Sequence, residues 1–241
     1  MTKKHPVENL FDEVAYAEEN VTRSFNDIKS NSSFDVQSWL PFISPKYHIS
    51  PNMSDYLVVP VIICPTDLPN RKNVAFPFKS LVDFNIRRAM PCYKTWKGMP
   101  VQIDHINTDV TKAAGVVLDT IIKPIHGVEG NLHKVVALLA LDKTKNYDLI
   151  QAIKSKRRKY YSMGAIIDTY ECSICGMLSK PGKIDTDCGH VSRSSVNLVQ
   201  TPQGLKAAHY LAHGINGFEV SSVSFPAWAS ADSTDVKDMG I

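Results

Sequence analysis

No stretch of this 241-residue sequence stays apolar for the roughly 20 residues that a bilayer-spanning helix needs. The N-terminus, with Lys3, Lys4 and His5, also lacks the apolar core of a secretory signal. These two absences set the expectation of a soluble intracellular chain with no membrane role. A dominant charge is missing too: 27 basic and 24 acidic residues leave a formal +3, too near balance to imply nucleic-acid binding by itself. The one dense basic run, Lys154, Lys156, Arg157, Arg158 and Lys159, reads as a solvated helix end. An even cysteine count is absent as well. The five cysteines, Cys64, Cys92, Cys172, Cys175 and Cys188, argue against a disulfide framework and for free thiols plus a metal site. What is present suits a globular fold: 44% hydrophobic and 21% charged residues, at a length able to bury one sizeable core.

Residues 6–29 read as an amphipathic helix opened by Pro6, with Val7, Leu10, Phe11, Val14, Ala17, Val21 and Phe25 at spacings of mostly three and four. Residues 1–50 are therefore expected to form an N-terminal helical arm, and 51–241 the main domain. Tyr56 to Cys64 is a continuous apolar, β-branched run typical of a buried strand, with Pro60 marking an edge or a bulge. Further strands are expected at Pro100–His105, Gly115–Ile125, Lys134–Leu141, Tyr160–Asp168 and Gly217–Pro226. Helices are expected at Ser80–Met90 with Ser80 as N-cap, at Tyr147–Ile153, and at Thr201–His213 with Gly214 as its stop. That balance predicts an α+β domain, a mainly antiparallel curled sheet or barrel with short helices around it.

The cysteines fall in a pattern that carries chemistry. Cys172-Ser-Ile-Cys175-Gly176 and, after a spacer, Cys188-Gly-His190 offer three thiolates and one imidazole, which suits a closed tetrahedral zinc site. The neighbouring glycines let the backbone turn so that its N–H groups reach sulfur. Four protein ligands leave no place for water, so the zinc is expected to be structural, stabilising an insertion of about residues 170–195 that is too small for its own core. His209 and His213 lack the intervening glutamate of a zincin helix and read as packing or surface residues.

Serine catalysis needs a hydroxyl beside an imidazole, and a third group that fixes the imidazole tautomer. Eight histidines and many serines leave the choice open on spacing alone. Three strings narrow it. Trp96-Lys-Gly-Met-Pro-Val-Gln-Ile-Asp-His105, followed by Gly115-Val-Val, resembles the histidine motif of tailed-phage prohead proteases. Tyr161-Ser-Met-Gly164 resembles that family's nucleophile motif, a serine followed by a small-residue turn on a strand. Phe218-Glu-Val-Ser-Ser-Val-Ser-Phe-Pro-Ala227 resembles its closing, glutamate-containing strand. The family is similar in fold to the herpesvirus assemblins, from which the resemblance implies an assemblin-like domain. It also implies Ser162 as nucleophile, His105 as general base and Glu219 as the third member, with Asp168 and Asp142 as rivals for that last role. By the same analogy the oxyanion donors fall near Ala227 or Trp228, since Pro226 has no N–H. The zinc insertion between the serine and glutamate strands departs from the simplest members.

The resemblance further implies an endopeptidase that cuts scaffold or core and capsid proteins inside an immature capsid in the host cytoplasm. Members are commonly made as zymogens that trim themselves. It implies no diffusible cofactor and no nucleic acid, and it leaves self-association open. The rival readings are a catalytically inactive capsid- or scaffold-binding protein that keeps the fold, and a zinc-ribbon nucleic-acid binder. The second leaves His105, Ser162 and the Glu219 strand without a role.

Overall fold

A computed structural model describes residues 36–106, 108–125, 132–181, 188–192, 195–228 and 237–238, so the expected helix over 6–29 lies outside the described residues. In chain order, α1 (Val36–Tyr47) precedes β1 (Tyr56–Pro65) and the short β2 (Val74–Ala75). One short helix, α2 (Phe78–Val82), leads into a hairpin of β3 (Phe84–Asn85) and β4 (Met90–Pro91). The long strands β5 (Pro100–Ile103), β6 (Gly115–Pro124) and β7 (His133–Asp142) follow, then α3 (Tyr147–Lys154) and β8 (Tyr160–Ile166). β9 (Thr169–Cys172), β10 (Leu178–Ser179), β11 (Asn197–Thr201), β12 (Gly204–Ala208) and β13 (Tyr210–His213) come before β14 (Asn216–Val223) and β15 (Lys237–Asp238).

The architecture is α+β, mostly strands, with a curled half-barrel sheet and few helices. The main sheet runs β15-β1-β7-β6-β5-β14-β8, antiparallel throughout except for the parallel pair β5–β14. Alternation along its strands separates two apolar layers. Leu57, Val59, Val61 and Ile63 of β1 join Val117, Leu139, Tyr161 and Val220 inside the curl. Val58, Val116, Leu118, Leu138 and Ala140 point the other way, onto Leu40 and Tyr47 of α1. This packing draws the helix onto the body through Leu40 and Tyr47. Pro60 pairs with Leu138 on the stretch of β1 that β15 does not cover, where a strand tolerates a missing N–H.

One expected helix breaks off early and another is replaced by strands. Over Ser80–Met90 the helix ends at Val82, Ser80 lies inside it, and the β3–β4 hairpin takes over. The apolar spacing there belonged to outward-pointing residues: Phe84 is 64% and Ile86 87% exposed, while Asn85 between them is buried and donates to Ile215 O. Over Thr201–His213 the chain forms the β11–β12 hairpin and then β13, with Thr201 paired to Gly204 across the turn. Pro202 and Gly204 are turn residues that a helix interior would resist. The segment between β8 and β14 stands outside the main sheet and builds a second one, β10-β9-β13-β2. The segment expected as a small insertion is thus joined to the body through β13, which pairs with both β9 and β2.

Candidate active site and candidate metal centre

The β14–β8 ladder aligns Ser221 with Ser162 and Glu219 with Gly164, so the two serines and the glutamate share one face. Gly164 is required there. A Cβ at this position would lie 2.6 Å from both Glu219 Oε1 and Phe218 Cζ. The role first given to Gly164, a turn after the serine, does not hold: it lies within β8 and makes room for the glutamate. A bulge between Gly217 and Glu219 also brings the Phe218 ring to the same cleft as Glu219, where strict alternation would have turned it away.

His105 arrives from the far end of β5. Asp104 and His105 both adopt left-handed backbone (φ 51° and 58°), an uncommon conformation for residues with side chains, which throws the imidazole back over β14. Its Nδ1 lies 2.8 Å from Glu219 Oε1, and the second carboxylate oxygen accepts from Ser221 Oγ. Glu219 is 1% exposed, and an unpaired carboxylate at that depth would cost several kcal/mol. Both of its oxygens are used. The Glu219 hydrogen bond, reinforced by its charge, raises the His105 pKa above the ordinary value against opposing burial and the nearby Lys72.

Ser162, 4% exposed, opens with His105 and Glu219 onto one cleft of about 610 Å³. Asn70, Arg71 and Lys72 line the cleft, and so do Ile167 and Tyr170. Phe225, Pro226, Ala227 and Trp228, the segment named for oxyanion donors, close it. Among the described residues no hydrogen bond joins Ser162 Oγ to His105, as is common in unliganded sites. The two rival carboxylates are elsewhere. Asp142 is buried at the end of β7, accepting from Ser50 N and from Thr144, and Asp168 pairs with Arg87 at 3.4 Å.

Three features of the site could not be assigned from the sequence. Ser221 orients Glu219, and the i, i+2 spacing on a strand was the signal available for it. Trp96 is fully buried: its ring fills the space left by Gly217, and its indole N–H donates to Gly164 O at 3.0 Å. Arg158, read as part of a solvated run, instead clamps the histidine turn, donating to Ser222 O at 2.8 Å, Ser222 Oγ at 2.9 Å and Asp104 Oδ1.

Cys172, Cys175, Cys188 and His190 gather so that their ligand atoms all lie within 4.8 Å of one another. Cys172 Sγ and His190 Nδ1 are 3.8 Å apart. A tetrahedron with about 2.3 Å metal–sulfur arms puts ligand atoms roughly that far from each other, so the donor set fits one ion. Gly176 and Gly189 have φ of 71° and 69°, the left-handed turns expected beside each ligand pair. The Met177 N–H, against burial and with help from the neighbouring Cys and His side chains, draws the Cys175 thiol down to about 7, whereas burial lifts Cys188 to about 11. His213, four residues after His209, is not free surface: Nδ1 meets Ser80 Oγ at 2.8 Å and Nε2 meets Glu171 Oε2 at 2.9 Å. Comparison with known protein families, with curated proteins and with solved structures finds no match to this chain.

Proposed function

We propose that this chain is a serine endopeptidase of the prohead-maturation type, assemblin-like in fold, acting on scaffold or core and capsid proteins inside an immature capsid. The observation that carries the reading is the buried Glu219 carboxylate 2.8 Å from His105 Nδ1, on the same strand face and in the same cleft as Ser162. With Nδ1–H donated to Glu219, the neutral imidazole presents Nε2 as the base. Nε2 takes the Ser162 proton as Oγ attacks the scissile carbonyl, and returns it to the leaving amine. Water then hydrolyses the acyl-enzyme by the same relay. Ser162 to Ala165 line the cleft consecutively along β8, which among the described residues pairs only with β14. An extended peptide can add to such a strand edge through main-chain hydrogen bonds.

For the Cys/His cluster we propose zinc, held structurally, because the four protein ligands complete its shell. The rival reading, a binding protein without catalysis, draws on the missing Ser162–His105 hydrogen bond. A fluorophosphonate probe on the purified chain separates the two. Labelling that maps to Ser162 by mass and disappears in Ser162→Ala and His105→Ala supports catalysis; no labelling of the folded protein favours the binding protein.

A further inference from the structure

The metal cluster and the cleft meet at a single buried side chain. Asn73 is 8% exposed and left-handed (φ 54°), immediately after the cleft residues Arg71 and Lys72. Its Nδ2 donates to two carbonyls just past the cluster, Ser192 O at 2.6 Å and Ser195 O at 2.7 Å. Ser192 follows His190 by one residue, Val191, which is buried in the main core. The Asn73 carbonyl meanwhile accepts from Tyr210 N at 2.8 Å, and Tyr210 is the register partner of Cys172. Two separate metal-ligand segments therefore converge on one asparagine. From Asn73 the restraint passes outward: its N–H donates to Asn70 O, Asn70 Oδ1 accepts from Lys72 N and Val74 N, and Arg71 N donates to Ala227 O. A second part of the lining is tied to the same centre, since the cleft residue Tyr170 lies two positions before Cys172 on β9 and packs edge-on to Tyr210 at 6.0 Å.

We infer that the Cys/His cluster sets the cationic rim of the cleft, and that Asn73 is the positioning residue through which metal occupancy reaches Arg71 and Lys72. The inference rests on the metal reading above, and only the labelling arm of its test draws on the protease chemistry. Without a metal, the three thiols and the imidazole have no common partner to hold them together, so the carbonyls of Ser192 and Ser195 lose their fixed places. A side chain that donates to both then has nothing to register against. The cluster is thereby a control on what the cleft admits, separate from the Ser162, His105 and Glu219 constellation on β8 and β14.

The test uses the full chain, stripped with chelator and titrated with zinc, with bound metal counted by elemental analysis. Hydrogen exchange of the peptide spanning 70–74 should quicken by about tenfold or more in the stripped protein, while β6 and β7 amides stay protected. Trypsin should cut after Arg71 or Lys72 faster in the stripped form. Asn73→Gly keeps the left-handed backbone and removes the amide. It should bind one zinc yet show the fast exchange of stripped wild type, now insensitive to metal. With a fluorophosphonate probe, its half-saturating concentration should rise while the limiting labelling rate holds. Zinc-loaded Asn73→Gly that keeps metal-dependent protection at 70–74 overturns the inference. So does wild type whose 70–74 exchange ignores zinc, a result needing no variant. Absence of bound zinc in elemental analysis defeats the metal reading and this inference together, and leaves Ser162 labelling as a separate question.

Discussion

At the scale of single residues, Glu219 decides what His105 can do. Because the carboxylate raises the His105 pKa, the imidazole stays protonated to higher pH than a free histidine, and on the proposed mechanism activity should climb only as pH passes that raised value. Glu219→Gln removes the charge but keeps the shape. Its acid limb should move down toward the ordinary value near 6.5, while turnover falls by about 10²–10⁴-fold through loss of the correct tautomer. A pH–rate series on wild type and variant reads both effects. Asp168→Asn should leave turnover near wild type. Asp142→Asn should lower the melting temperature instead, because this buried carboxylate caps Ser50 N and Thr144 and is remote from the site. Gly164→Ala tests the packing of the same group. The added methyl meets Glu219 and Phe218, so the variant should lose about 1–3 kcal/mol of stability and most of its Ser162 labelling. Denaturant melts beside probe labelling check the pair.

At the scale of elements, the turn after β5 needs outside support to hold two consecutive left-handed residues. Arg158 supplies it from the segment before β8, tying Asp104 to Ser222 on β14. Arg158→Ala should lower turnover by about tenfold to a hundredfold with the melt little changed, since a small misplacement of a base is costly. Arg158→Lys should recover little, because a point charge cannot replace a fork that reaches three acceptors. Steady labelling rates for the two variants decide it. This clamp was not legible in the sequence, where a basic run after a helix has the same appearance whether solvated or engaged. The long strands were legible, because Tyr56–Pro65, Gly115–Pro124 and His133–Asp142 are bulk apolar runs buried in the sheet. Short elements were not. In β3 and β12 the apolar side chains Phe84 and Leu205 face outward, so their spacing reported no burial and imitated a helix. The candidate site was legible as three separate strings, and the reason they belong together, Trp96 wedged against Gly217 and bonded to Gly164, appears only in three dimensions.

At the scale of the whole molecule, the second sheet ties the segment between β8 and β14 back to β2 near the start of the body. The site draws on residues 105, 162 and 219, and no two of them are local in sequence. Their one parallel ladder, Val101–Ile103 against Val220–Ser222, joins strands separated by most of the domain. Such a pairing must close the long loop between the two strands, and loop-closure entropy slows it. In refolding from denaturant, protection of the β6 and β7 amides should precede the return of Ser162 labelling, and the interval should lengthen when zinc is withheld. Pulsed hydrogen exchange beside timed probe labelling measures it. Coincident recovery would show that β14 docks early. For the proposed activity the parallel pair is a clock: the strands that carry Ser162 and His105 can both be formed, and the cleft still lacks Glu219 until β14 seats itself between them.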